Sequence, residues 1–263
     1  MEISEISIVY FSATYTTREI ARLIASKFEY PVKEYDITQL PFPNEVHLGK
    51  TDLLIAAMPV YAGRIPPQAV GALNKFKGEG TPAVLACVYG NRDYDDALLE
   101  LKDKVETNGF RSVAAGAFIA RHSIFPKVGT GRPDERDMDF IGNFAGKSME
   151  LLKGATDTDH FSKIQVKGNY PYKVPGSISL HPKGKRNCNW CGKCAGLCPV
   201  QAIPVEDPKK TDKEICISCG RCIVVCPQHA RSFTGVLYKV VEHKFVKAYS
   251  ARREPEAVFA ELS

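Results

Sequence analysis

Cysteine spacing is the feature that most constrains this chain. Eight of its nine cysteines fall into two copies of the pattern C-x2-C-x2-C-x3-C-P, at residues 188–199 and 216–227. Thiolates are soft ligands that suit iron–sulfur clusters. In this run three sulfurs of one loop reach three corners of a [4Fe-4S] cluster, and the fourth ligates the other cluster. The sequence therefore predicts two [4Fe-4S] clusters in one small domain.

Crossed ligation predicts a definite ligand set for each cluster. The first cysteine set is Cys188, Cys191, Cys194 and Cys226. The second cysteine set is Cys216, Cys219, Cys222 and Cys198. Structural zinc is the alternative, because paired C-x2-C motifs often bind it. Four cysteines per run, each run followed by proline, fit zinc poorly.

Composition sets broad limits on the class of protein. A length of 263 residues suits two domains, because the cysteine pattern occupies only the last third. Outside that pattern cysteine occurs only at Cys87, which argues against a secreted disulfide framework and favours the reducing cytoplasm of an anaerobe. The start of the sequence is acidic and does not read as a signal peptide, and no apolar run is long enough for a membrane span. A net charge of +5 without a basic, aromatic-rich stripe argues against nucleic-acid binding.

The first 155 or so residues alternate between apolar strand-like runs and amphipathic helical runs. The predicted strands are Ile3–Phe11, Val32–Thr38, Asp52–Val60, Pro82–Gly90 and Ser112–Arg121. The predicted helices are Thr17–Phe28, Pro66–Lys77, Asp93–Asn108 and Pro133–Leu152. Five strands with crossover helices indicate an α/β fold with a doubly wound, five-stranded parallel sheet, followed by a small α+β cluster domain. Ligands of such sheets bind at the carboxyl ends of the strands.

Three loops at those strand ends predict a flavin mononucleotide site. Residues 11–18 carry four serine and threonine side chains and lead into a helix, which suits a phosphate, although Thr16-x-x-Glu19 also fits a helix-capping box. Residues 59–67 and 89–94 offer glycine for close backbone approach and tyrosine for stacking on a flat ring. The pattern G-x-G-x-x-A at 78–83 precedes a strand, so we interpret it as a turn and not as a dinucleotide fingerprint.

With these motifs in view, the chain resembles the flavodoxin–ferredoxin fusion proteins of anaerobic bacteria and methanogenic archaea. The matching segments are residues 59–67, residues 88–97 and the two cysteine runs. The family's phosphate loop usually reads F-S-x-T-G-x-T, and here Tyr15 stands at the glycine position. A positive φ at this position would be costly for tyrosine. The resemblance implies a flavodoxin-like FMN domain joined to a bacterial-type ferredoxin domain with two [4Fe-4S] clusters.

The loops and the resemblance together predict the residues that contact FMN. In the phosphate loop they are Ser12, Ala13, Thr14, Tyr15, Thr16 and Thr17. Around the ring and the ribityl chain they are Pro59, Val60, Tyr61, Ala62, Gly63, Tyr89, Gly90, Asn91, Arg92, Asp93 and Tyr94. His122 follows the fifth strand and would either donate to the reduced flavin or close a loop onto its neighbours.

The motifs divide the chain into four predicted segments and suggest an electron-transfer function. The segments are a flavodoxin-like domain at 1–165, a Pro/Gly-rich linker at 166–180, a ferredoxin domain at 181–236 and a tail at 237–263. A flavin and two clusters suit an electron carrier between low-potential partners. The alternative is an FMN-dependent reductase of a small molecule fed by its own clusters, and a redox-sensing regulator is a weaker third reading. A redox partner would dock near the ferredoxin domain, and the short linker slightly favours electron transfer between chains of a head-to-tail homodimer.

Overall fold

The computed structural model describes residues 1–39, 41–42, 44–176 and 180–262. Its strands are β1 (Glu5–Tyr10), β2 (Val32–Asp36), β3 (Val46–Leu48), β4 (Asp52–Pro59), β5 (Phe76–Gly78), β6 (Thr81–Tyr89), β7 (Phe110–Ile119), β8 (Lys183–Gly184), β9 (Arg231–Ser232) and β10 (Glu256–Phe259). Its helices are α1 (Thr16–Ala25), α2 (Pro67–Leu73), α3 (Ala97–Thr107), α4 (Glu135–Gly154), α5 (Lys193–Gly196), α6 (Arg221–Val224) and α7 (Val236–Tyr249), with a 3-10 turn at Thr158–His160.

The main sheet has the order β10-β7-β6-β4-β1-β2, and the five strands from β7 to β2 are parallel. Read from β2, this is the flavodoxin-like order 2-1-3-4-5. Helices α1 and α4 pack together on one face, and α2 and α3 pack on the other. The five predicted strands and four predicted helices are therefore confirmed, and the fold is a flavodoxin-like α/β fold.

The central strands of the sheet are buried on both faces. All residues of β6, and all of β4 after Asp52, are buried, because helices cover both faces of the sheet. Continuous apolar runs are the expected sequence of such doubly covered parallel strands. In the G-x-G-x-x-A pattern, Glu79 and Gly80 form the predicted turn, which lies between β5 and β6, with Gly80 at φ 76°.

The tail is part of the first domain's sheet. Strand β10 pairs antiparallel with β7 over Glu256–Phe259, so the sheet has six strands where the sequence predicted five. Helix α7 lies before it and contributes Tyr238, Val241 and Phe245 to an apolar cluster with Ile124, Phe125 and Phe233. A four-residue edge strand carries too little apolar pattern to be recognised in isolation.

Two similar units make up the region with the cysteine runs. Helices α5 and α6 each begin directly after a glycine with positive φ, Gly192 at 70° and Gly220 at 77°. Strands β8 and β9 pair antiparallel and connect the two ends of this region. The repeat seen in the sequence is therefore a repeat in the backbone.

Within the described residues, no helix has the length and apolar character needed to cross a membrane.

Candidate functional site

The hydroxyl-rich loop lines a cavity at the carboxyl end of the sheet. Thr14, Thr16 and Thr17 face this cavity from the start of α1. The predicted capping box is not formed, because Tyr15 is the N-cap and no side chain caps the helix. Among the described residues no acceptor reaches the backbone N–H groups of Thr16 and Thr17. Free N–H groups and hydroxyls at a helix N-terminus fit a phosphate.

Ser12 holds this loop in place through two hydrogen bonds. Its side-chain oxygen accepts from the backbone N–H of Arg18 at 3.1 Å, and its own N–H donates to Thr38 Oγ1 at 2.7 Å. Ser12 is buried and does not line the cavity. Of the predicted phosphate contacts, the structure brings Ala13, Thr14, Thr16 and Thr17 to the cavity and leaves Ser12 as a positioning residue.

A second, larger cavity of about 550 Å³ adjoins the first. Both are lined by Val60, Ala62, Tyr89, Gly90 and His122, so the loops after β4 and β6 face one continuous space. Pro59 and Tyr61 line only the first cavity, and Gly63, Arg92 and Asp93 only the second. Flat apolar walls with a few polar groups suit a planar cofactor ring.

The far wall of the larger cavity comes from outside the predicted site. Leu237, Val241 and Phe245 of α7 line it together with Phe125. Sequence reasoning missed these residues because the tail has no recognisable motif. The i, i+4, i+8 spacing of the three α7 residues was the available signal, because it places them on one helix face.

Asn91 and Tyr94 hold the tail and do not line either cavity. The Asn91 amide donates to the backbone oxygens of Tyr249 and Ala251 at 2.7 and 2.8 Å. The Tyr94 hydroxyl donates to Glu256 at 2.7 Å. Their side chains therefore hold the segment from Tyr249 to Glu256 against the first domain, in place of the predicted flavin contacts.

Tyr15 faces the ferredoxin region. Its φ of 72° is left-handed, which explains why the resembling family has glycine here. The guanidinium groups of Arg18 and Arg221 each lie 4.7 Å from the centroid of its ring, which packs against the apolar core around Cys194 and Cys222. Two cation–π contacts of about 0.5–2 kcal/mol each can offset a left-handed backbone cost of about 1–2 kcal/mol. Tyr15 is thus an interdomain contact.

His122 packs directly on Gly90. A Cβ on Gly90 would come within 2.5 Å of the imidazole, so only glycine allows this arrangement. The His122 Nδ1 accepts from the backbone N–H groups of Ile124 and Phe125, both at 3.1 Å. The proton of the neutral ring therefore lies on Nε2. Burial, followed by the charge of Arg92, lowers the pKa of His122 to about 4.

We expect His122 to remain neutral throughout the physiological pH range. Its ordinary pKa is about 6.5, so the unfolded chain takes up the proton first, and stability contributed by the neutral ring is lost as pH falls from about 6.5 towards 4. An NMR titration of ¹⁵N-labelled histidines in the oxidised protein, assigned with His122→Gln, should give a midpoint below about 5. A midpoint at or above 6.5 would contradict this prediction.

The four cysteines of the second set line one small cavity. Cys198 comes from the first run, and its charge raises the pKa of Cys216, Cys219 and Cys222. Burial raises the pKa of Cys222 to about 11 and that of Cys219 to about 12. Buried thiols meeting around one space suit a group that holds them as thiolates.

In the first set, Cys194 and Cys226 are neighbours whose charges interact. The backbone N–H groups of Ala202 and Ala230 donate to the sulfurs of Cys198 and Cys226 at 3.3 and 3.2 Å, so the repeat extends to equivalent N–H···S bonds. Cys191 is exposed, whereas Cys219 and Cys222 are buried. Within the described residues, no three His, Cys, Asp or Glu side chains approach closely enough to hold a single metal ion.

The second cysteine run packs against the cavity predicted to bind flavin in its own chain. Ile217 and Ser218 line the same cavity as Thr14 and Tyr61. Arg221 is buried, and its Nη1 donates to the backbone oxygens of Ser12 and Ala13, both at 3.3 Å. This cavity and the second cysteine set therefore form one contiguous region.

Comparison with known proteins supports the cluster domain. Residues 209–232 match the 4Fe-4S binding domain family, a range that contains all four cysteines of the second run. Similar solved structures include a flavodoxin from the domain Archaea, with 12% identity, a TM-score of 0.39, and coverage of 57% of this chain and 99% of that chain. A Fusobacterium nucleatum flavodoxin bound to flavin mononucleotide has 14% sequence identity and a TM-score of 0.39, and the match covers 58% of this chain and 98% of that chain. An NADH:FMN oxidoreductase in its apo form has 14% sequence identity and a TM-score of 0.44, and the match covers 59% of this chain and 93% of that chain.

The fold and the cysteine region together define the class of protein. The chain joins a flavodoxin-like α/β domain to a 4Fe-4S ferredoxin domain. This combination is consistent with the flavodoxin–ferredoxin fusions that the sequence resembles.

Proposed function

We propose that this protein is an iron–sulfur flavoprotein that carries electrons between low-potential partners, using two [4Fe-4S] clusters and FMN. The clusters would be held by the first and second cysteine sets, and FMN by the loops after β1, β4 and β6. Clusters supply one-electron chemistry and a flavin can exchange one or two electrons, so the pair couples both kinds of reaction. The observation that carries the proposal is the packing of Ile217 and Ser218 into the flavin cavity.

The position of the one exposed cluster cysteine supports an order of the sites. Both sets contain two buried cysteines, but the exposed Cys191 belongs to the first set, whereas the second set lies beside the proposed flavin cavity. Exposed lysine and arginine side chains at 183, 185 and 186 precede the first run. A positive surface accelerates association with an acidic partner. We therefore propose that an acidic redox protein docks at the first cysteine set.

Anaerobic purification followed by rapid kinetics tests this function. The protein should contain about eight irons and eight sulfides per chain, as two cubane clusters require, and FMN without FAD. In stopped-flow reduction by a low-potential donor, flavin reduction should follow cluster reduction. It should be lost in a variant with all eight cluster cysteines replaced by serine that still binds FMN. Equal flavin reduction rates with and without clusters would contradict the proposal.

A mixing experiment separates transfer within a chain from transfer in a head-to-tail dimer. The contacts of Arg221 and Ile217 with their own flavin loops favour transfer within the chain over the dimer that the linker length favoured. One variant lacks FMN and keeps its clusters, and the other lacks clusters and keeps FMN. Their mixture should show no recovery of flavin reduction. Recovery would support the dimer.

A small-molecule reductase is the second candidate, and the 550 Å³ cavity favours it. The apolar wall from α7 would accept a planar apolar molecule beside the flavin ring. Filling this wall with Val241→Trp separates the two functions. In a reductase it should slow turnover of an added quinone while leaving cluster-dependent flavin reduction unchanged.

A further inference from the structure

Arg231 is a buried cation in the ferredoxin domain, with neutral oxygens as acceptors of its terminal N–H groups and the Cys222 sulfur as a further side-chain hydrogen-bond partner. Its exposed fraction is 2%. One terminal nitrogen donates to the backbone oxygens of Pro208 and Lys210, and the other donates to the backbone oxygen of Pro182 at 2.9 Å and to the Thr211 hydroxyl. The Nε–H is buried and has no hydrogen-bond partner in the described part of the chain.

A guanidinium in this position needs an anion. Arginine keeps its charge in proteins, and burying an unpaired charge is strongly unfavourable. Among the described residues no carboxylate lies within ion-pair distance of Arg231. Protein oxygens therefore accept all four hydrogen bonds from the terminal nitrogens of Arg231. Its charge has no carboxylate counter-ion among the described residues.

The anionic groups near Arg231 are cluster cysteines from both sets. Burial raises the pKa of Cys194, Cys216 and Cys222, and the charge of Arg231 opposes that rise at all three. The Pro208 oxygen that accepts from Arg231 also lies 3.8 Å from the Cys194 sulfur. Cys194 belongs to the first set, and Cys216 and Cys222 belong to the second set. Arg231 therefore neighbours cysteines of both sets.

Only one of the two equivalent positions in the internal repeat carries an arginine. Arg231 follows Ala230 after the second run, and the equivalent residue, Ile203, follows Ala202 after the first run. Ile203 is buried in an apolar cluster with Cys194 and Cys222. One of two equivalent positions thus carries a charge and the other an apolar side chain, so the repeat alone does not require an arginine here.

We propose that Arg231 is a counter-charge shared by both [4Fe-4S] clusters, and that it raises the reduction potential of each. A reduced cluster carries one more negative charge than an oxidised one, so a fixed nearby cation stabilises the reduced form. The effect is larger for the second cluster, because two of the three neighbouring cysteines belong to its set. The proposal rests on the two clusters of the proposed function and is independent of FMN.

Arg231→Met tests the proposal through reduction potentials. We expect both clusters to become harder to reduce in an EPR-monitored redox titration, with at least a tenfold change in the reduction equilibrium of the second cluster. For a one-electron couple a tenfold change is about 59 mV. Unchanged potentials with both clusters present would overturn the proposal, as would a shift to more positive values.

Two further variants separate charge from architecture. Arg231→Lys keeps the charge, so its potentials should lie closer to the wild type than those of Arg231→Met. Lys213→Met removes an exposed charge from the same domain and should leave both potentials unchanged, because solvent screens it. If Arg231→Met does not assemble clusters, Arg231→Lys should still retain them. Equal cluster loss in the methionine and lysine variants would overturn the role of the charge.

Iron counts and potentials together distinguish a failure of the Arg231 proposal from a failure of the proposed function. Iron and sulfide counts of the wild-type protein below two clusters would remove the premise of a shared counter-charge. Full counts with unchanged potentials in Arg231→Met would reject the role of Arg231 and leave the electron-transfer proposal intact.

Discussion

Replacing Cys198 with alanine should remove or damage the cluster held by the second cysteine run, although Cys198 belongs to the first run. Cys198 lines the same small cavity as Cys216, Cys219 and Cys222, so the variant leaves that site with three of its four thiolates. Crossed ligation is the expected arrangement for this cysteine spacing. We expect the iron content to fall towards about half, with an altered EPR spectrum of the second cluster.

Cys226→Ala is the matched control, because Cys226 ends the second run and is a neighbour of Cys194. It should affect the cluster of Cys188, Cys191 and Cys194 and leave the other cluster intact. If Cys198→Ala instead affects only the cluster of Cys188, Cys191 and Cys194, the assignment is refuted.

The Cys198 variant should also change the rate of flavin reduction. The second set lies against the flavin cavity, whereas the first set includes the exposed Cys191. Cys198→Ala should therefore slow flavin reduction by a protein donor even when the first cluster remains reducible. Similar rates in Cys198→Ala and the wild type would show that the second cluster is not needed for flavin reduction.

Replacing Thr14 and Thr17 together with valine should weaken FMN binding at least tenfold. Both threonines line the cavity at the start of α1. Hydrogen bonds to a charged group contribute about 1.5–3 kcal/mol each, and about 1.4 kcal/mol corresponds to a factor of ten in affinity. Fluorescence titration of the apoprotein with FMN measures the change, because bound and free flavin differ in emission.

Thr107→Val serves as the control for the threonine variants. Thr107 is exposed at the end of α3, and its hydroxyl donates to the backbone oxygen of Asp103 in its own helix. FMN affinity should be unchanged in this variant. Unchanged affinity in the Thr14 and Thr17 double variant would place the phosphate elsewhere.

Local patterns were sufficient to predict the main elements of the fold. The apolar runs of β4 and β6 reflect burial on both faces, which depends on residues within one segment. The same holds for the glycine-led units around the cysteines, where the positive φ of Gly192 and Gly220 is a local requirement. Both the five-stranded parallel core and the ferredoxin repeat could therefore be predicted before any tertiary contact was known.

The candidate site was predictable only in part. The loops at the strand ends were recognised, because strand topology alone brings them to one edge of the sheet. The directions of individual side chains were not. Tyr15 faces Arg221 of the ferredoxin domain, and Asn91 binds the tail through Tyr249. These directions depend on partners more than 150 residues away in the chain.

The two cysteine clusters, the doubly wound sheet and the hydroxyl-rich loop could all be predicted from residue type and short-range spacing. Three features depend on tertiary contacts instead: the second cysteine run packs on the predicted flavin cavity, α7 lines the larger cavity, and β10 extends the sheet. Long-range packing selects among many sterically allowed contacts, and no short pattern in the chain specifies which of them forms. The position of Arg231 near cysteines of both sets is a result of the same kind, since its partners come from segments around residues 182, 208 and 211.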